Sequence, residues 1–205
     1  MTGWLDSPLK RAIDGVVAGS ALVVLSPVLA ITALAVRLRL GSPVLFRQER
    51  AGRNGAPFEI VKFRSMTDAT GPDGHDLPDD ERLPAFGRAL RASSLDELPQ
   101  LRTVFRGDMS LIGPRPLPMK YVDRYSPDQR RRLLAVPGIT GWAQIQGRNA
   151  LDWPTKLDHD VWYIDHASFL VDVRIVIGTF RAVLARDGVS ATGHVTMPEF
   201  TGTES

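Results

Sequence analysis

The sequence predicts an α+β fold: an apolar N-terminal helical segment joined to a small, mainly helical body with one short β-hairpin. Three observations predict it. Val16 to Val36 runs twenty-one residues without a charged side chain. Two extended segments, 43–50 and 57–66, flank the turn residues Gly52-Arg53-Asn54-Gly55. Later segments place apolar residues at helical spacing, most regularly from Ser168 to Arg186. We place one boundary after residue 40, with a membrane segment and its flanks over 1–40 and one integrated body over 41–205.

Composition sets the limits. A chain of 205 residues can bury a real core and favours one domain. With 43% hydrophobic and 23% charged residues it is ordinary for a folded protein, which excludes general disorder. The absence of cysteine removes disulfides, a thiol nucleophile and thiolate metal sites, and fits a reducing compartment. Net charge is only +2, but residues 1–65 and 100–139 are basic while 66–99, which hold Asp96 and Glu97, are acidic. Basic blocks of this kind meet phospholipid head groups, nucleic acid or phosphorylated substrates, or are simply solvated.

At the helical rise the apolar segment is ~31 Å long, enough to cross a bilayer core. It has no clear signal-peptide cleavage site. Ser26-Pro27 sits at its centre, where proline removes a backbone donor and clashes with the Val23 carbonyl. The Ser26 hydroxyl is placed to help satisfy the freed groups. Each arm is then ~16 Å, about half the core. Lys10 and Arg11 flank one end, and Arg37 and Arg39 the other, a symmetry that suits a hairpin with both ends on one side. These residues alone leave a spanning helix and a re-entrant one both open.

In the second strand Phe58, Ile60, Lys62 and Arg64 share a face, so two cations lie together, as an anion site or a solvated edge. A polar loop over 67–80 leads to helices expected at 80–92 and 95–106. Ser126-Pro127-Asp128 is a helix start, and the helix it opens carries Arg130-Arg131-Arg132, a candidate membrane or nucleic-acid contact. Residues 137–149 read as a glycine-punctuated loop containing Trp142 and Arg148. Between Ser168 and Arg186, Phe169, Val173, Val176, Phe180 and Val183 form a stripe for which core packing is the common explanation and a membrane surface the alternative. The tail after Gly188 is polar and patternless.

Chemistry concentrates in Ser93-Ser94-Leu95-Asp96-Glu97-Leu98 and in Gly107-Asp108-Met109-Ser110-Leu111-Ile112-Gly113-Pro114-Arg115-Pro116. The first contains a capping-box pattern in which Glu97 would bond back to the Ser94 amide. Its neighbours point elsewhere. Arg91 precedes the carboxylates, and Arg115 follows between two prolines. Arginine grips phosphate through forked hydrogen bonds, and carboxylates among arginines with a divalent cation suit phosphoryl transfer. There is no Gly-x-x-x-x-Gly-Lys loop and no Gly-x-Gly-x-x-Gly fingerprint. His159 and His166, with Asp158, Asp160 and Asp165, read as surface helix residues ahead of a metal site.

Through these motifs the chain resembles the small monotopic phosphoglycosyl transferases, bacterial polyprenol-phosphate sugar-1-phosphate transferases. The resemblance covers nearly the whole chain: Lys10-Arg11-Ala12-Ile13-Asp14, Ser26-Pro27, Lys62-Phe63-Arg64-Ser65-Met66, Ser94-Leu95-Asp96-Glu97-Leu98 and Gly107-Asp108-Met109-Ser110. It continues in Gly113-Pro114-Arg115-Pro116, Pro137-Gly138-Ile139-Thr140-Gly141-Trp142-Ala143-Gln144, Gly147-Arg148-Asn149 and Gly193-His194-Val195-Thr196.

The resemblance implies a ping-pong reaction. Asp96 attacks the sugar-linked phosphorus of a UDP-sugar and releases UMP; the phosphate of undecaprenyl phosphate then takes the phosphosugar. It implies magnesium, with Asp96 and Glu97 as catalytic and metal-binding residues, Glu97 serving as ligand or base. Lys62, Arg91, Arg115 and Arg148 are the implied phosphate contacts. It also implies a re-entrant N-terminal helix broken at Ser26 and Pro27, interfacial amphipathic helices, and a monotopic place on the bacterial inner membrane with the catalytic body cytoplasmic. The expected partners are UDP-sugar, undecaprenyl phosphate and phospholipid, without nucleic acid, and a homo-oligomer stays open. The chain lacks the extra transmembrane bundle of larger members, and its tail is similar to members that use acetamido sugars. The rival readings are a membrane-anchored, non-catalytic scaffold and a nucleic-acid binder.

Overall fold

The computed structural model describes residues 3–147, 150–185, 197 and 199–202. Helix α1 (Pro8–Val24) starts at Ser7, whose hydroxyl accepts from the Leu9 amide at 3.2 Å, with proline in the first turn. After Leu25 the chain re-enters helix as α2 (Ser26–Leu40), and the two axes differ by 63°. The break lies where Pro27 places it. Ser26 Oγ donates to the Val23 carbonyl at 2.8 Å, the compensation the sequence suggests. Among the described residues no single helix is long and apolar enough to cross a membrane, though the bent pair passes that test together. Val23, Val24, Ile31 and Leu38 are exposed.

Both ends of the bent pair are tied to the same body. On α1, Lys10 is buried in an ion pair with Asp172 at 2.8 Å, and Arg11 donates to the Val104 carbonyl at 3.1 Å. Asp14 accepts from Ser110 Oγ at 2.7 Å and from the Leu111 amide at 3.1 Å. Of the four cations read as charged flanks, Lys10 is thus an internal support, Arg11 a surface tie to the Val104 carbonyl, and Arg37 and Arg39 stay exposed. On α2, Val36 is fully buried against Phe63 and Leu90.

Strands β1 (Leu45–Ala51) and β2 (Pro57–Phe63) form the expected antiparallel hairpin, with Ala51 opposite Pro57 and Leu45 opposite Phe63. Asn54 takes the left-handed conformation in its turn, at φ 57°. The helix expected over 80–92 is two pieces, α3 (Asp79–Arg82) and α4 (Ala85–Ala92), because Pro84 separates them. The one expected over 95–106 is a 3₁₀ turn at Leu95–Glu97, then Pro99, then α5 (Gln100–Arg106). Strand β3 (Ser110–Ile112) pairs in parallel with β4 (Gly138–Thr140), a pairing inside what reads as loop sequence. A Cβ on Gly138 would stand 2.1 Å from the Gly113 nitrogen, so only glycine permits this approach.

Ser126 and Gln129 form a reciprocal cap: Gln129 N donates to Ser126 Oγ at 3.2 Å, and Ser126 N to Gln129 Oε1 at 3.0 Å. The segment it opens is 3₁₀, over Gln129–Leu134. Helices α6 (Trp142–Ile145), α7 (Trp153–His166) and α8 (Phe169–Ala185) complete the body. The core-packing expectation for the α8 stripe is overturned, since Phe169, Val173, Val176 and Phe180 are exposed while Asp172 and Ile175 are buried. The described part of the tail returns to the core: Phe200 is 1% exposed and packs on Tyr121, Tyr125 and Trp153. The matched tetrapeptide Gly193–Thr196 lies outside the described residues.

Candidate active site

Five of the six residues expected at the phosphates and the catalytic pair line one cavity of about 1050 Å³: Lys62, Arg91, Asp96, Glu97 and Arg115. Arg148 lies outside the described residues. Each comes from a different local solution. Lys62 stands at the end of β2, held by the hairpin register. Arg91 is in the last turn of α4, whose Gly87 passes so close to the Ser65 carbonyl that a Cβ would stand 1.9 Å from it. That approach lets Arg91 Nε donate to Ser65 Oγ at 2.9 Å.

Between α4 and the carboxylates, Ser94 adopts φ 57°, a conformation costing a non-glycine residue about 1 kcal/mol. The sharp turn swings Asp96 and Glu97 under β2. Glu97 does not cap Ser94. Its Oε1 accepts from Lys62 Nζ at 2.7 Å, and its two oxygens receive the Arg115 fork through Nη1 at 3.4 Å and a closer Nη2 contact. Two cations in a partly buried cavity outcompete a single backbone amide for an ionised carboxylate.

Arg115 is held from behind. Arg132 Nη2 donates to the Arg115 carbonyl at 2.6 Å, while Arg132 pairs with Asp160 at 2.7 Å and bonds the Tyr125 hydroxyl at 3.2 Å. Both partners of the Arg132–Asp160 pair are 2% exposed. The arginine run is therefore no free basic face. Arg132 is core, Arg131 pairs with Asp128 and Asp165, and Arg130 donates to the Val122 carbonyl. Arg64, read with Lys62 as either an anion site or a solvated edge, pairs with Asp68 at 2.6 Å and holds the carbonyls of Leu40 and Ser42.

The electrostatics separate the two carboxylates. Burial, then the neighbouring Glu97 charge, pushes the Asp96 carboxyl up from 3.8 to about 6, against Lys62, Arg115 and Arg91. Burial would raise Glu97 too, but Arg115 and Lys62 outweigh it and hold it well below the usual range. Burial lowers Lys62 against the pull of Glu97, and lowers Arg91 against Asp96. The Glu97 charge raises Arg115. Among the described residues no side chain donates a hydrogen bond to Asp96. A largely buried carboxylate facing a cation-lined cavity can act as a nucleophile toward an anionic phosphoryl group.

Among the described residues no three His, Cys, Asp or Glu side chains gather as a metal site. His166 stacks on Trp162, and Asp160 and Asp165 are committed to arginines. Residues not singled out from sequence also face the cavity, notably Arg50, Gln144 and Lys156. Lys156 carried a legible signal: Lys156, Asp160 and Tyr163 put three polar groups at helical spacing on the inward face of α7.

A family model described as bacterial sugar transferase matches residues 5–186. The chain is 50% identical over 194 residues to "Uncharacterized sugar transferase EpsL" of Bacillus subtilis, covering 95% of this chain and 96% of that one. It is 42% identical over 190 residues to the UDP-glucose:undecaprenyl-phosphate glucose-1-phosphate transferase of Caulobacter vibrioides, covering 87% of this chain and 70% of that one. To the undecaprenyl-phosphate galactose phosphotransferase of Salmonella typhimurium it is 38% identical over 197 residues, covering 88% of this chain but 41% of that protein. On the span of the family match and the end-to-end similarity to the Bacillus protein, the chain belongs to the bacterial sugar transferase family.

Proposed function

We propose that this chain transfers a sugar 1-phosphate from a UDP-sugar to a polyprenol phosphate through a phosphosugar covalently held on Asp96. The observation that carries the reading is Asp96 itself: buried, without a hydrogen-bond donor among the described residues, and ringed by Lys62, Arg91 and Arg115. The names of the Caulobacter and Salmonella relatives support the donor and acceptor classes.

In the first half-reaction an Asp96 oxygen bonds to the sugar-linked phosphorus, and the bridging oxygen departs with UMP. In the second, an oxygen of the polyprenol phosphate bonds to that phosphorus and Asp96 is released. Neither nucleophile carries a proton that must be removed near pH 7, so no general base is needed. Glu97 then serves to order Lys62 and Arg115 beside the reacting phosphates through its hydrogen bonds to both. Asp96, the carboxylate of the pair that no described side chain donates to, would hold a magnesium ion together with substrate phosphate oxygens, since magnesium commonly takes one or two carboxylates plus phosphates. When bound it supplies neutralisation of the diphosphate charge.

The bent helix pair fits a re-entrant membrane segment. With arms of 17 and 15 residues and a 63° bend, the apex stands ~12 Å from the line joining the two ends. That is shallower than half of a ~30 Å bilayer core. Both ends return to the same body, which supports reading the enzyme as monotopic on a bacterial membrane; on that reading its cavity faces the cytoplasm. The exposed apolar stripe of α8 is then an interfacial face.

Intact-protein mass spectrometry with a UDP-sugar panel and no acceptor tests the chemistry. A phosphosugar adduct and UMP release are expected from the wild type and neither from Asp96→Asn. A non-catalytic scaffold gives neither signal from either protein, and an active Asp96→Asn enzyme removes the mechanism.

A further inference from the structure

The cavity carries two cations that the chemistry at Asp96 leaves unused. Lys156, on α7, is 9% exposed, and among the described residues no carboxylate lies within ion-pair distance of it. Its Nζ meets the Met197 sulfur at 2.7 Å and stands 5.1 Å from the centre of the Trp153 ring. Asp160, one turn along α7, is taken by Arg132. Arg50, on β1, is bonded by Gln48 and keeps a buried Nε without a hydrogen-bond partner. Gln144 Oε1, on the same cavity wall, is also buried and unpaired.

Arg115 neighbours both cations. Burial and then the Arg115 charge lower Lys156 to about 8 and Arg50 to about 10. Lys156 and Arg50, which among the described residues have no carboxylate within ion-pair distance, are repelled by Arg115 and poorly solvated, and an incoming anion relieves both penalties. The carboxylate pair cannot do so, since Glu97 is committed to Lys62 and to the Arg115 fork.

Resting on the transfer reading above, we propose that Arg50, Arg115 and Lys156 form a phosphomonoester subsite that is used twice in each turnover. Displacement at phosphorus runs in line, so the leaving oxygen lies opposite the attacking one. When Asp96 attacks, the UMP phosphate leaves on the side opposite Asp96. When the acceptor attacks, it must approach opposite the Asp96–phosphorus bond that breaks. The departing and arriving groups are both phosphomonoesters and require the same place. One cationic subsite thus holds the nucleotide phosphate during the first half-reaction and the polyprenol phosphate during the second.

The test is direct binding to the full-length protein in detergent micelles, with UMP and farnesyl phosphate as separate probes and uridine as the control. Lys156→Gln and Arg50→Gln should each weaken both phosphates by ~10-fold or more, the scale of one charged hydrogen bond. Lys156→Arg should restore most of the affinity, and saturating farnesyl phosphate should exclude UMP. Thermal melts run alongside separate lost binding from lost folding, and Arg50→Gln provides an independent second site. Wild-type affinity in both glutamine variants overturns the subsite. Weakening of only one probe, or simultaneous binding of both, overturns its alternating use. Adduct formation on Asp96 from donor alone is measured in parallel. Loss of that adduct in the wild type removes the transfer reading, whereas an intact adduct with unchanged binding removes only the subsite.

Discussion

Asp160→Asn tests how far the cavity arginine Arg115 depends on a charge in the core. Asp160 and Arg132 are each 2% exposed, and the carboxylate accepts from Arg132 at 2.7 and 3.0 Å. Neutralising it leaves a guanidinium buried without a counter-ion, a change that costs about 3–5 kcal/mol. The asparagine oxygen can still accept a hydrogen bond, so the lower end is expected. For a protein of this size each kcal/mol moves Tm by about 2–4 °C, giving a fall of roughly 6–12 °C. The double variant Arg132→Met/Asp160→Leu replaces the pair with apolar groups, which recovers most of the stability. It does not recover the donor to the Arg115 carbonyl, so kcat/KM should stay at least ~10-fold down, the scale of one lost charged hydrogen bond. The assays are a thermal melt in detergent and UMP release. A shift under ~2 °C for Asp160→Asn would refute the buried-pair energetics. Full activity in the double variant would refute the idea that Arg132 positions Arg115.

On the proposed mechanism Asp96 must be ionised to attack, so kcat/KM should fall as pH drops through an inflection near 6 and level off above it. Glu97→Gln removes the adjacent negative charge and should move that inflection lower; an unmoved one assigns it to another group. Arg115→Lys keeps the charge but loses the fork, and activity should drop roughly ten- to a hundredfold with little change in Tm. A parallel loss of folded protein would make Arg115 structural. For topology, single cysteines at Gly3 and Ser42 should both resist an impermeant thiol reagent in intact cells and react after permeabilisation. Pro27→Ala should straighten the helix pair and expose the Gly3 probe. Labelling of Gly3→Cys from outside in the native background contradicts the re-entrant reading.

Sequence carried the break at Ser26-Pro27, the hairpin and the extent of α8, because proline chemistry, turn residues and helical periodicity are local signals. It carried Asp96, Glu97 and Arg115 through motif resemblance, but not their wiring. The Ser94–Glu97 spacing suits a cap, and only the arrival of Lys62 and Arg115 from distant segments redirects Glu97. The cap that does form, at Ser126–Gln129, has the same spacing, so tertiary partners decide between the two. Arg132 looked like part of a basic run, because three consecutive arginines do not reveal which one points inward. The β3–β4 pairing rests on glycine contacts across 25 residues of sequence, which no local pattern encodes. Phe200 was unreadable for a related reason: its aromatic partners lie on 3₁₀ and helical segments far upstream.

The attachment of α1 has a practical corollary for anyone wishing to excise the catalytic body. Cutting the chain after residue 40 would strip Asp172 of its lysine and its Trp4 indole, leaving Tyr163 as its side-chain partner among the described residues. It would remove the Asp14 carboxylate from Ser110 Oγ and from the Leu111 amide at the root of the strand leading to Arg115. It would also bare the apolar surface of Ile60, Leu101, Val104 and Met109, on which Ala18 rests. A truncated fragment should therefore aggregate, even with every residue of the cavity retained. A soluble version is better sought by substituting polar residues for Val23, Val24, Ile31 and Leu38 while sparing Lys10, Asp14 and Ala18.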